Sequence, residues 1–310
     1  MTQTQQPSTS DRIGWLGVGR MGYAMARRLG EAGVAISVYN RSPEKARPLE
    51  KHGVQVVGDL GQLGTADVVF TMLSTGDVVE ESLLGERGLL SLHGAKPRIV
   101  VDCSSISIET SARLRAALAQ RGIAFLACPV SGNPHVVESG NCTFVCSGER
   151  AVFEQVQPLL ATIGKAAAYV GEGDLARVAK IAHNVWLGAL TQSLAEVVVL
   201  AQKAGMTREA FMGFLNISAL GSTYTKVKTP HWVALDFEAT FTPALMRKDM
   251  DLGLDLAREL DMPMPLSSHT RDLLQQLINT GDGTLDFSTL LLQQAKTAGL
   301  EMTPETPSGH

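Results

Sequence analysis

A turn of three glycines, Gly17-Val18-Gly19-Arg20-Met21-Gly22, follows directly on the short apolar run from Arg12 to Leu16. No other feature of the chain constrains its fold so tightly. A helical segment comes next (Tyr23 to Leu29), then a second apolar run from Val34 to Tyr39, ending in Asn40-Arg41-Ser42. Strand, glycine turn, helix and strand at this spacing read as a βαβ unit able to bind a dinucleotide. Gly17 permits the tight turn, Gly19 lets the backbone approach a pyrophosphate, and Gly22 lets the helix lie close on the strand. The turn residues Val18, Gly19, Arg20 and Met21 open the helix, whose free N–H groups and positive dipole end suit phosphate.

The end of the second strand bears on which dinucleotide is bound. A site for NAD usually places Asp or Glu there to hold the ribose 2′-hydroxyl, and this chain has Asn40. Arg41 and Ser42 follow. A guanidinium can clamp a 2′-phosphate with two hydrogen bonds, so the expected cofactor is NADP, with NAD possible. Arg41 can equally be a solvated loop residue. Ser42 is also placed to cap a helix starting at Pro43.

A chain of 310 residues, 45% hydrophobic and 19% charged, has the composition of a globular protein with room for two domains. The net charge of −4 leaves no basic footprint for nucleic acid or a membrane surface. Glu196 interrupts the most apolar stretch, around Leu187 to Ala201, so no stretch is expected to reach membrane-spanning length. Residues 1–10 are polar, without the charge and apolar core of an export signal, and read as a disordered tail. Cys103, Cys128, Cys142 and Cys146 lack metal-ligand spacing and are expected to be reduced, buried and inert. A cytoplasmic address fits that composition.

From residue 11 to 173 short apolar runs alternate with helical segments. Strands are expected at 12–16, 34–39, 54–57, 67–72, 98–102, 123–127, 142–147 and 167–170. Their lack of polar alternation suggests parallel strands covered on both faces. The reading is an α/β Rossmann domain with a doubly wound, mostly parallel sheet. Residues 174–299 are expected to form an all-α domain, joined through a helix running to Gly205. At ~1.5 Å per residue that helix is about 40 Å long, and its apolar residues on more than one face suit a hub shared between subunits. Further helices are expected at 207–217, 243–260, 264–279 and 286–298, with breaks at Gly221-Ser222, Pro230 and Gly281-Asp282-Gly283. Residues 300–310 read as a Pro/Ser/Thr-rich tail.

Ligands of doubly wound sheets bind beyond the carboxyl ends of the strands. Three polar clusters fall there: Leu73-Ser74-Thr75, Asp102-Cys103-Ser104-Ser105, and Ser131-Gly132-Asn133 after Pro129-Val130. Ser74 and Ser104 can equally be helix N-caps. Ser131, Gly132 and Asn133 point to a functional role, since no helix is expected to begin there. A fourth cluster interrupts the long apolar helix. Lys180 and Asn184 lie one turn apart on one face, and a Lys among apolar residues needs partners. That pattern suits Lys180 as proton donor or acceptor and Asn184 as orienter, the alternative being a Lys that snorkels to the surface.

With these residues assembled, the chain resembles the β-hydroxyacid dehydrogenase family, which includes 3-hydroxyisobutyrate, tartronate-semialdehyde and short 6-phosphogluconate-type dehydrogenases. The resemblance covers residues 12–298. GVGRMGYAMARRL is similar to the family's cofactor loop, and PVSGN…SGNCTF (129–144) to its substrate loop. GEGDLARVAKIAHN (171–184) is similar to its catalytic segment and RKDMDLGL (247–254) to its cofactor-closing segment. The resemblance implies Lys180 as catalytic acid/base, with Asn184, Ser131 and Gly132 on the substrate. It also implies Ser105 beside the nicotinamide, Lys248 on the cofactor, and a homodimer or homotetramer. The chain departs from the family pattern at Ala127, Asn133, His135 and His183, all around the substrate. The implied activity is NADP(H)-dependent interconversion of a small 3-hydroxyacid and its semialdehyde. The alternatives are an imine reductase on the same scaffold, which typically lacks this Lys, and a catalytically silent cofactor-binding module.

Overall fold

The protein is described here by a computed structural model covering residues 11–92 and 96–305. The tail expected over 1–10 lies outside the described residues. The chain divides into two compact units, Met1–Lys180 and Ile181–His310.

The first unit opens with β1 (Ile13–Leu16), α1 (Arg20–Glu31), β2 (Ile36–Tyr39), β3 (Gln55–Val56), β4 (Val68–Thr71), α2 (Gly76–Leu84) and β5 (Ile99–Asp102). It continues through α3 (Ile108–Ala119), β6 (Ala124–Ala127), β7 (Val130–Ser131), α4 (Pro134–Glu138), β8 (Thr143–Cys146), α5 (Arg150–Ile163) and β9 (Ala166–Tyr169). Six parallel strands run in the order β3-β2-β1-β4-β5-β6, with the direction of winding reversing between β1 and β4. β1, β4 and β5 are buried along their whole length, as their unbroken apolar runs predict. Trp15 of β1 stands in register with Phe70 of β4, their rings stacked at 5.3 Å, so the strands flanking the reversal are locked side by side.

The last two expected strands are not in that sheet. β8 and β9 form a separate three-stranded sheet with β7, a two-residue strand too short to leave a periodic signal. An isolated antiparallel bridge, Ala127 to Ser147, ties the two sheets together. All four cysteines are free and buried, and burial pushes the Cys142 thiol up to about 11.

The helix α6 (Leu175–Lys203) carries the chain out of the first unit. The division between units falls within this helix, C-terminal to the boundary expected at 173/174. α6 is long and apolar enough to meet the length and hydropathy criterion for a membrane span, with mean hydropathy 1.3 and half of that window buried. This corrects the expectation that no stretch reaches spanning length. Glu196 lies within the apolar stretch, but one charge does not outweigh the aliphatic residues around it, and the buried, hydrogen-bonded Thr191 and Gln192 are typical of a core helix.

The second unit adds α7 (Arg208–Ile217), α8 (Thr223–Ala234), α9 (Pro243–Glu259), α10 (Pro265–Asn279) and α11 (Leu290–Thr297). Pro230 was expected to break the chain, yet it lies inside α8. Ser222 caps that helix, Trp232 and Val233 are buried beyond the proline, and the buried Arg208 guanidinium donates to both their carbonyl oxygens. Tertiary anchoring holds the last turn against the local preference. Residues 300–305 are not a loose tail. Arg208 Nη2 donates to the Thr303 carbonyl oxygen at 2.6 Å, and the Glu305 carboxylate accepts from the amides of Arg208 and Glu209.

Candidate active site

The glycine turn has the geometry its residue types imply. Gly17 sits at φ +99°, and a Cβ there would lie 2.5 Å from the Met72 carbonyl oxygen. A Cβ on Gly22 would lie 2.1 Å from the Gly17 carbonyl oxygen, so α1 can approach the turn only with glycine there. Around Gly19 a Cβ would meet nothing within 4 Å. The space above it is open to a ligand, and Arg20 beside it is also exposed. Trp15 Nε1 donates to the Gly17 carbonyl oxygen at 2.9 Å and pins the turn from beneath. Residues 17–22 thus fit a dinucleotide pyrophosphate, and α1 would receive it at its N-terminus.

Asn40 is occupied within the protein. Its Oδ1 accepts from the Val18 amide at 3.0 Å and its Nδ2 donates to the Ser42 carbonyl oxygen at 2.9 Å, so it braces the glycine turn against the end of β2. Arg41 is exposed and makes no hydrogen bond or ion pair among the described residues. Ser42 precedes a short 3-10 turn, Pro43–Lys45, and its side chain makes no capping bond, contrary to the cap expected of it.

At the carboxyl ends of β4 and β5, neither Ser74 nor Ser104 is a helix cap; Thr75 and Ser107 fill that role. Ser104 Oγ accepts from the Leu73 amide at 2.9 Å, joining the two loops. Ser105, half-buried, makes no hydrogen bond among the described residues. In the third loop Ser131 lies in β7, and Gly132 takes φ +141°, a left-handed conformation suited to glycine. Asn133 corrects an expectation, because a helix does begin there. Its Oδ1 accepts from the Val136 amide at 3.0 Å, with Pro134 in the first helical position. The Asn-Pro pair was itself a helix-start signal. His135 is exposed and lies 3.5 Å from Glu138.

Two residues to which the sequence assigned no role of their own organise this end of the sheet. Asp102, fully buried at the end of β5, pairs with Arg177 of α6, which is 1% exposed. The guanidinium donates to Asp102 Oδ2 at 2.5 Å, to the Ser104 carbonyl oxygen at 2.6 Å and to Ser111 Oγ at 3.2 Å. Asp102 Oδ1 also accepts from Thr71 Oγ1 at 2.5 Å. Two further clamps hold the start of α6. Arg115 donates to Asp174 at 2.7 Å, and Ser147 Oγ accepts from the Ala176 amide at 2.9 Å while donating to the Gly173 carbonyl oxygen at 2.8 Å. Lys180, half-buried, follows Arg177 by three residues and so shares its side of the helix. An Arg three residues before the Lys, within an apolar periodic stretch, was the available signal.

In the second unit Asn184 and Lys248 meet through a third residue, Asp249, which is 6% exposed. Asn184 Nδ2 donates to Asp249 Oδ2 at 2.6 Å, and Lys248 Nζ lies 3.3 Å from Oδ1. His183 Nδ1 lies 3.0 Å from Asn184 Oδ1.

Comparison with known proteins identifies the family. Residues 12–171 match the family model described as the NAD binding domain of 6-phosphogluconate dehydrogenase. Residues 174–293 match that of the NAD-binding region of NADP-dependent 3-hydroxyisobutyrate dehydrogenase. The chain is 30% identical to 2-(hydroxymethyl)glutarate dehydrogenase of Eubacterium barkeri, over 91% of this chain and 94% of that one. It is also 30% identical to 3-hydroxyisobutyrate dehydrogenase of Pseudomonas aeruginosa, over 90% and 96%. Among solved structures, 3-hydroxyisobutyrate dehydrogenase of Mycobacterium tuberculosis with L-serine superposes at a TM-score of 0.81, with 27% identity over 92% of this chain and 99% of that chain. The chain belongs to the β-hydroxyacid dehydrogenase family and is an NAD(P)-dependent oxidoreductase.

Proposed function

We propose that this enzyme interconverts a small 3-hydroxyacid and its semialdehyde, working with NADP(H) in preference to NAD(H), with Lys180 as general acid and base. The observation that carries the reading is the tie from Arg177 to Asp102 and Ser104, because Lys180 lies on the side of α6 that this tie faces toward the strand ends. The bound dinucleotide supplies or accepts the hydride. In reduction, protonated Lys180 hydrogen-bonds the carbonyl oxygen of the substrate and delivers its proton there as negative charge develops. In oxidation, neutral Lys180 takes the hydroxyl proton. Ser131 and the Gly132 backbone hold the substrate carboxylate, and Asn184, oriented by Asp249, bonds its hydroxyl end. Ser105 would flank the nicotinamide together with Leu73 and Ser74, and Lys248 would contact the cofactor.

Arg41 supports the NADP preference: with no partner among the described residues, it is available to a 2′-phosphate. L-serine, present in the M. tuberculosis relative, is itself a small 3-hydroxyacid. A homodimer or homotetramer is part of the same reading, supported by the exposed Phe214, Ile217, Leu220 and Val227 of the second unit. Four free thiols suit a cytoplasmic address.

The test is turnover of Lys180→Ala with NADP+ across 3-hydroxyisobutyrate, L-serine, 3-hydroxypropanoate and glycerate, beside a panel of cyclic imines. Loss of kcat by about 10²–10⁴-fold with NADPH binding retained is the expected result. Near-parental turnover in that variant, or reduction of imines alone by the parent, overturns the assignment.

A further inference from the structure

We infer that Arg177 and Asp102 form a positioning pair for the reaction, setting the rotation of α6 so that Lys180 faces the β4 and β5 loops. This rests on the reading of Lys180 as acid and base. Around the helix start, the Arg115–Asp174 pair and the Ser147 hydroxyl act on residues 173–176 and fix where α6 begins. The guanidinium acts on the very next residue, Arg177, and fixes which way the following turn faces. A helix turned by one residue about its axis swings each side chain through about 100°, which would carry Lys180 away from the strand ends.

The tie is also directional at its far end. Arg177 reaches Asp102 Oδ2 and the Ser104 carbonyl oxygen, while Asp102 Oδ1 accepts from Thr71 Oγ1 and from the Ser104 amide at 3.3 Å. Ser104 Oγ in turn holds the Leu73 amide. One ion pair therefore sets the β4 loop, the β5 loop and the Lys-bearing turn against one another. Well-packed apolar residues of similar volume would bind the helix to the sheet as strongly as this ion pair does. What they would lack is the planar fork, which accepts one orientation of its partners.

The test compares four variants: Arg177→Lys, the double replacement Asp102→Leu with Arg177→Met, Lys180→Ala, and the double replacement combined with Lys180→Ala. Each is read for melting temperature, NADPH affinity by fluorescence titration, and kcat and KM with NADP+ and the hydroxyacid of highest turnover in the panel above. The double variant removes both charges and is expected to melt near the parent and to bind NADPH as the parent does, while kcat falls about 100-fold. The triple variant that adds Lys180→Ala to it should then turn over no more slowly than Lys180→Ala alone, because the pair acts through that amine. Should the double variant not fold, Arg177→Lys keeps the charge without the fork and is expected to lower kcat with little change in KM. Parental kcat in a folded variant of the pair overturns the inference, and so does a loss of NADPH affinity as large as the loss of kcat. Parental turnover in Lys180→Ala overturns instead the reading on which the inference rests.

Discussion

Single residues divide the cofactor site into groups that shape the protein and groups left for the ligand. Gly22 is of the first kind. Gly22→Ala forces a methyl against the Gly17 carbonyl oxygen, and an overpacked site of this kind costs about 3 kcal/mol, or roughly 5–10 °C in Tm. Gly19 is of the second kind, since a methyl there touches no protein atom. Gly19→Ala should therefore melt with the parent yet bind NADPH about tenfold or more weakly, because the methyl occupies the pyrophosphate's approach. Thermal melts and fluorescence titrations of the two variants separate the roles. Arg41→Ala is expected to weaken NADPH binding about 10–100-fold and leave NADH unchanged, as read by paired titrations. The glycines were legible in the sequence because their roles are local. The Asp102–Arg177 pair was not: its partners lie 75 residues apart, and only the order of strands in the sheet brings them together.

At the level of elements, local signals were reliable where nothing distant competed with them. The parallel strands announced themselves as unbroken apolar runs, and α7, α9, α10 and α11 by their periodicity, whereas α8 was not expected. Pro230 misled because the grip of Arg208 on α8 is a tertiary fact. Asp286 plays a similar part between α8 and α11. Its carboxylate accepts from Lys228 Nζ at 2.7 Å, Thr240 Oγ1 at 2.7 Å and Ser288 Oγ at 2.6 Å. Burial pushes its pKa up, but the Lys228 charge and these hydrogen bonds outweigh burial and hold it below the ordinary Asp value. A carboxyl depressed on folding contributes stability above its unfolded pKa of about 3.9 and loses it as pH falls through the lower folded value. Asp286→Asn should cost about 3–5 kcal/mol at pH 7, since Lys228 loses its counter-charge. The gap in Tm between parent and variant should narrow as the pH is taken below about 4, which a series of melts across pH will reveal.

Across the whole molecule, the second unit leaves an unusual amount of apolar surface uncovered. Ile217 is 86% exposed and Leu220 is 78% exposed, both at the end of α7 or just beyond it. Association through this surface predicts that Ile217→Glu combined with Leu220→Glu yields a smaller particle by light scattering, with the melting curve of the monomer. An unchanged mass in that variant would count against this surface. The two-part architecture itself was readable, because the change from alternating strands and helices to helices alone is a change of hydrophobic period. The exposure of Ile217 and Leu220 was not, since periodicity reports which face of a helix is apolar and not what covers it.

A buried pair of opposite charges also has a history. A lineage that altered position 102 alone, or 177 alone, would pass through descendants carrying a naked charge in their interior, a state selection removes. The two positions can drift only together. Among descendants of a common ancestor, chains with a neutral residue in place of Asp102 should have surrendered the guanidinium as well.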